Sequence, residues 1–571
     1  MGGNAVADAV ADGGLGKVLG RNHGRHLVAD DHQHLGNIGD LRFGLVDDFI
    51  QHPFIEVVHA LPLDWSVLWS SHPGDVGTGV SLTGEKTDGP FPLDDLPLFR
   101  PATPGRGFSA RYPGAMRLRP AIDGQHGGTA ARRPRLGPMA DFPLPTSRGP
   151  WLRRDLATRN ARISRAGRRE KFAAMAGDAF SFLRGTNHLY WHDLGTAPAL
   201  SRFGGGADTR IWIQGDMHAN NLGSFAEAHG AVVYDANDFD EAVLGDYQMD
   251  LWRLAVSIVL IAHSHPDLAA VDAGECVAAC ADAYLETLHR WLDAAGDAVQ
   301  VFTAANTYGQ LDDFLERIAA EQSPAAMLAR YTSVDRQGRR ILDPALCPDL
   351  GRAPAAMAAE LIRALPAYGL TLGGGLAYDP DHFSVLSIAC RLHAGIGSLG
   401  VPRFYVLIAG GGDGPVILDV KAQPLPSAFV YGDPIARAAT QAGCAEHQGC
   451  RVILGARALG HAADDYQGWL TCAGRQWSIR RRSPWKATLP VSLLNSRRRL
   501  EKMAKQWGQV LATCHCRADR WLERSGPGFA VGVAARTKGR RRAFRDQVVR
   551  VATTYAAQVE ADFTAFRAWR G

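Results

Sequence analysis

The segment Gly215-Asp216-Met217-His218-Ala219-Asn220-Asn221 places Asp, His and Asn in one short stretch, and carboxylates follow at Asp238, Asp240 and Asp250. That order suits phosphoryl transfer. An Asp on a loop can orient or deprotonate a hydroxyl, and an Asn together with an Asp beyond the next strand can hold magnesium, so positioning and charge do most of the work. The candidate catalytic residues are therefore Asp216 and His218, and the candidate metal ligands are Asn221, Asp238 and Asp240. Asp, Asn and Gly are also the ordinary residues of turns, so the weight rests on the ordered set and not on any single member.

The flanking sequence says what must hold these residues. Short apolar runs at Ile211 to Gln214 and Ala231 to Tyr234 predict strands on either side of the loop, and Asp250 to Ala262 predicts a buried helix. Further on, Gly395-Ile396-Gly397-Ser398-Leu399-Gly400 precedes two predicted strands, Arg403 to Ala409 and Val416 to Lys421, joined by the hairpin-type run Gly410 to Gly414. Glycines so spaced let backbone N–H groups approach phosphate oxygens, and Lys421 on the second strand can reach them as a point charge. The dinucleotide-binding form of such a glycine run is disfavoured, because a strand and not a helix follows. Gly395, Gly397, Ser398, Gly400 and Lys421 are thus the candidate nucleotide-binding residues. Arg184, in Phe180-Ser181-Phe182-Leu183-Arg184-Gly185-Thr186, joins them: its planar donor fork suits phosphate, or else a buried carboxylate that would tie its helix down.

The Asp-x-His-x-x-Asn pattern, with a further Asp twelve positions ahead of Asp250-Leu251, resembles the aminoglycoside phosphotransferase-like branch of the protein-kinase-like fold. The resemblance implies a two-lobed α/β (α+β) architecture using ATP and magnesium. It implies Asp216 as base, Asn221 and Asp238 on magnesium, Asp250 as a buried acceptor bracing the loop, and His218 as a loop-shaping residue. A longer resemblance, over about residues 140 to 570, is to the bacterial family catalogued as domain of unknown function 2252. It rests on the Phe180–Thr186, Gly215–Gly223, Asn237–Glu241, Asp250–Ala255, Gly395–Gly400 and Val420–Lys421 segments, and it implies no substrate. Two departures stand out. The glycine and lysine elements follow the catalytic loop, which predicts a permuted lobe order, and Ala422 and Leu454 stand where the family pattern has Glu. Lys421 then lacks its usual glutamate partner, with Glu446 a conceivable substitute.

With 571 residues, 46% of them hydrophobic, the chain can bury a large core, and a formal charge of +4 argues against nucleic-acid and membrane-surface partners. The Arg480–Arg482, Arg497–Arg499 and Arg540–Arg542 runs read as solvated faces, the first with an anionic ligand as the alternative. No segment has the layout of a signal peptide, and Leu251 to Ala262 is too short to span a bilayer. Nine scattered cysteines argue against a disulfide framework and for the cytoplasm; Cys276, Cys280 and Cys514-His515-Cys516 lack a second zinc-ligand pair.

The sequence changes character near Met139. Residues 1–138 lack sustained periodicity and are expected to be poorly ordered, either as a flexible extension or as sequence upstream of a true start at Met139. Residues 139–571 are expected to form the kinase-like domain, with catalytic-loop elements over 180–262, a helical insert over about 270–377, the glycine and lysine hairpin over about 383–432, and helices over about 493–570. The expected activity is ATP- and magnesium-dependent transfer of a phosphoryl group to a small-molecule or protein hydroxyl. Two alternatives remain: a nucleotide-binding regulatory module without turnover, and a metal-dependent phosphoesterase built on Asp216, His218, Asp238 and Asp240.

Overall fold

The computed structural model describes residues 148–569 apart from 227–229, 269, 294–299, 374, 393–394, 413, 462–463 and 523–527, so the expected extension over 1–138 lies outside the described residues. Four helices lead in: α1 (Gly149–Arg159), α2 (Arg165–Met175), α3 (Ala179–Gly185) and α4 (Asn187–Leu194). Ser164 and Asp178 fix the starts of α2 and α3 by accepting hydrogen bonds from the backbone N–H groups of Gly167 and Ser181.

Two small antiparallel ribbons follow, β1 (Arg210–Ile213) with β4 (Val243–Asp246), and β2 (Leu222–Ala226) with β3 (Val232–Ala236). The helix α5 (Gln248–His263) comes next, and every residue from Gln248 to Ala262 is buried. An all-round apolar helix has to sit in the middle of a body. It does: α6 (Ala270–Asp293) and, from the far end of the chain, α15 (Arg541–Trp569) pack on it, while α13 (Arg497–Trp521) packs on α6. The helix α14 (Phe529–Thr537) adds to this body through Phe529 and Val533.

Between α7 (Gln310–Glu321) and α13 the chain builds a sheet. After α8 (Pro324–Tyr331) and the β5 (Thr332–Val334) and β6 (Arg340–Leu342) ribbon come β7 (Leu350–Arg352), α9 (Ala355–Gly369), β8 (Val385–Arg391), β9 (Arg403–Ile408) and β10 (Val416–Ala422). The short helices α10 (Ala428–Tyr431), α11 (Pro434–Gly443) and α12 (Gln448–Leu459) lead to β11 (Gly468–Cys472) and β12 (Arg475–Arg481). The strands pair antiparallel in the order β11-β12-β10-β9-β8-β7. Stretches expected to be mostly helical over 270–377 therefore include three short strands, because β7 completes the sheet edge and β5 and β6 pair beside it.

Side chains alternate across a strand. On one face Phe404, Val406, Leu418, Val420, Trp477 and Ile479 form a core closed by Leu361, Leu365 and Tyr368 of α9. On the other, Lys421 lies opposite Arg403 of β9 and Ser478 of β12, with Asp419 opposite Arg480. This polar face meets the helical body. Arg480, expected on a solvated face, donates to the Asn237 carbonyl at 3.2 Å and lies 3.7 Å from Asp419; the Arg497–Arg499 and Arg540–Arg542 runs are exposed as expected. The described cysteines are free, and among the described residues no helix is long and apolar enough to cross a membrane.

Candidate active site

The loop after β1 is held at almost every backbone group. Asp250, in the first turn of α5 and buried, accepts hydrogen bonds from Gln214 N at 2.6 Å and Gly215 N at 2.8 Å. The Gly215 carbonyl accepts from Trp191 Nε1 at 2.8 Å and Asn187 Nδ2 at 3.0 Å. Gly215 itself has φ +80°, and a Cβ there would lie 2.1 Å from the Glu241 carbonyl, so only glycine fits. The Gln214 side chain then joins two segments: its Oε1 accepts from Asp216 N at 2.9 Å and its Nε2 donates to the Asp238 carbonyl at 2.5 Å. Asn221 Nδ2 donates to the Asp216 carbonyl at 2.9 Å, which leaves its Oδ1 for a cation.

Asp216 carries the chemistry this frame can offer. The fully buried Arg253 guanidinium donates to its Oδ1 at 2.5 Å and to the Leu183 carbonyl at 3.0 Å, beneath the Tyr190 ring. Burial pushes the Asp216 carboxyl up to about 7, against the pull of Arg253 and with help from Glu241 and Asp238. His218 is buried edge-on to Phe180, its Nδ1 has no partner, and its Nε2 lies 3.8 Å from Asp216 Oδ2. Burial, then Arg184 and Arg253, hold it well below the usual imidazole range, so it stays neutral.

Beyond β3 the acids are unequal. Asp238 is half-buried, and its Oδ1 receives only a long 3.5 Å contact from Asp240 N. Asp240 is engaged by Lys421 and by Gln423 Nε2 at 3.1 Å; although burial opposes it, Lys421 holds this carboxyl below the usual carboxylate range. Glu241 accepts from Ser427 N at 2.6 Å, and burial raises its pKa. Glu446, the conceivable partner for Lys421, sits in the α11–α12 turn with φ +59°; the carboxylate on Lys421 is Asp240. The α12 helix does reach this region, but through an arginine. Buried Arg451 donates to the carbonyls of Ala242 at 2.7 Å and Asp240 at 2.8 Å.

One pocket gathers Asp216, His218, Asn221, Asp238 and Asp240 on its walls. Arg184, Gly395 and Gly397 line the same pocket. Lys421 stands in an adjoining cleft that shares Asp240 as a wall. Ser398 belongs to a single turn of 3₁₀ helix over Ile396–Ser398, and Gly400, with φ +91°, turns away against Ile163. Arg184, read as pairing with phosphate or a buried carboxylate, makes no ion pair among the described residues; its Nε is buried without a partner and its guanidinium lies 5.8 Å over Phe180.

Among the described residues no group of three or more His, Cys, Asp or Glu side chains could hold a metal unaided. The Asn221 and Asp238 oxygens suit magnesium, which is usually held by one or two protein oxygens plus substrate phosphates and water. Sequence reasoning missed Lys171, Gln214, Glu241 and Arg253. Arg253 alone carried a signal, a single charge in an otherwise apolar helix, since such a charge must be paired.

A helical body and an antiparallel sheet that close on one acid-lined pocket define a mixed α/β protein with a preorganised polar cleft. The chain belongs to the family described as an uncharacterized protein conserved in bacteria (DUF2252), whose model matches residues 165–569. No curated protein and no solved structure matches it.

Proposed function

We propose that the protein is an ATP- and magnesium-dependent phosphotransferase with a kinase-like site in permuted order. The observation that carries this reading is the convergence of Asp216, Asn221 and Asp238 with Gly395 and Gly397 in one pocket. The sheet supports it: the glycine segment joins the first two of three successive strands, and Lys421 lies on the third, as the phosphate-binding lysine does in protein kinases. Asn221 and Asp238 would hold the magnesium, which supplies charge neutralisation on the phosphates. Asp216, poised near neutrality, accepts the proton of the attacking hydroxyl, and Arg253 keeps it oriented. The phosphoesterase alternative needs more side chains on its metal, whereas Arg253 occupies Asp216 and Lys421 occupies Asp240. The regulatory alternative draws on one observation, the Lys421 contact with Asp240, which nucleotide would have to displace.

The test is ligand-dependent melting. Magnesium and ATP at a hundredfold excess over Kd should stabilise the full chain by about 2.7 kcal/mol, and Asp238→Asn should abolish the magnesium-dependent part. No stabilisation of the parent protein by either nucleotide or magnesium with nucleotide would overturn the reading.

A further inference from the structure

Two cations on the pocket wall, Lys171 and Arg184, make no ion pair among the described residues. Lys171, on α2, lines the pocket beside His188, and no hydrogen bond or ion pair engages its amine among the described residues. Burial alone acts on that amine, lowering its pKa, with no carboxylate raising it. The Asp155 carboxylate is engaged by His188 Nε2 at 2.7 Å and Arg159 Nε at 3.0 Å. Arg184, on α3, has its Nε buried without a partner, and Asp216, Asp178 and Asp238 act on it only through space. On the opposite wall Asp216 is taken by Arg253, Asp240 by Lys421 and Glu241 by Ser427, while Asp238 is left for the cation. Even part-buried charges are costly without a direct partner, so a wall carrying these two side chains suits an anion that arrives with a ligand.

The same helices roof the pocket. A Cβ on Gly185 would lie 3.1 Å from Ile396 Cγ2, one on Gly397 3.5 Å from the Arg184 carbonyl, and one on Gly167 3.6 Å from Leu399 Cδ2. The glycine segment is therefore seated on α2 and α3, and the acceptor must fit beneath it.

We propose that the acceptor is a small molecule bearing a phosphate or carboxylate next to its reacting hydroxyl, and that Lys171 and Arg184 grip that anionic group across the pocket from Asp216. This rests on the phosphotransfer reading. The hydroxyl oxygen attacks the terminal phosphorus of ATP, the bond to the ADP oxygen breaks, and the hydroxyl proton passes to Asp216.

Melting of the full chain with magnesium and ADP, at constant ionic strength, separates the outcomes. Inorganic phosphate and glycerol 3-phosphate should each raise the melting temperature, glycerol at the same concentration should not, and Lys171→Met or Arg184→Met should lose the rise while Lys171→Arg retains it. Lys171→Met should leave the Kd for magnesium-ATP within twofold. Equal shifts with glycerol, or anion shifts that survive in Lys171→Met, would overturn the proposal. So would a tenfold loss of ATP affinity with ADP affinity unchanged, because the cations would then hold the transferring phosphoryl group. Absence of any magnesium-ATP effect on the parent protein sinks the phosphotransfer reading too, whereas that effect without an anion effect sinks only the acceptor assignment.

Discussion

The two walls of the cleft are built on different terms. The loop from Gln214 to Asn221 is braced from within its own body, by Asp250, Asn187, Trp191, Ser257 and Arg253. The sheet side is held by contacts that cross over to the loop's side: Lys421 rests on Asp240, and the glycine segment rests on the end of α3. A site braced internally keeps its geometry when ligand leaves. One held by its opposite wall must exchange that contact for any ligand bound there, so the acids of the loop should be preorganised and the lysine should be switched.

Substitutions can break that contrast. The largest effect should come from Arg253→Met, which removes a fully buried guanidinium from an Asp216 carboxylate that is 15% exposed; breaking a buried pair costs up to roughly 3–5 kcal/mol, read as a fall in apo melting temperature. A small change would mean that Arg253 does not brace the loop. Asp250→Ala leaves the Gln214 and Gly215 N–H groups unsatisfied, at roughly 1–3 kcal/mol for a stranded buried donor, and hydrogen exchange should speed up selectively across that loop. Protection that persists there would place the brace elsewhere.

Lys421→Met should behave in the opposite sense. Lys421 is buried and its partner Asp240 is 25% exposed, so apo stability should drop by less than in Arg253→Met, by roughly 1–3 kcal/mol. At fixed ligand, however, a tenfold weaker Kd removes about 1.4 kcal/mol of magnesium-ATP stabilisation. Full retention of that stabilisation would take Lys421 out of the nucleotide site. The smallest effect is a pH dependence. Burial first, against the Asp155 hydrogen bond, lowers His188 to about 4. A depressed folded-state pKa gives stability that is present above the unfolded value and lost as pH falls, so the protein should lose about 0.8 kcal/mol from pH 8 to pH 6 through this group. His188→Gln should flatten that part of the profile, and an unchanged slope would assign it to another residue.

What the sequence revealed follows the same division. Asp216, Asn221, Asp238 and Asp250 lie within one stretch of chain, and strand, loop and helix signals there are local, so their grouping could be read directly, whereas the Asp250 brace came from the family resemblance. The partner of Lys421 lies 181 positions away, and no local rule selects Asp240 over Glu446. The expected glutamate on α12 is absent, and buried Arg451 makes the link from that helix instead, by a chemistry that composition does not announce. Strands β8, β11 and β12 went unread because sheet pairing, not local periodicity, defines them. Lys171 was invisible for a related reason: a lysine on an amphipathic helix reads as solvated until it is seen to line the pocket.

The acid that braces the catalytic loop touches His515 Nε2 at 3.4 Å, and Asp235 at the end of β3 is engaged by Arg517. Both partners lie on α13, more than 250 positions downstream. During synthesis the loop and its own braces thus emerge first, and the His515 and Arg517 contacts are added only once α13 has left the ribosome. The strands β7 to β12, gathered between residues 350 and 481, can pair before that. Assembly is then expected to be staggered, with the sheet able to mature before α13 docks beside the acid-bearing loop.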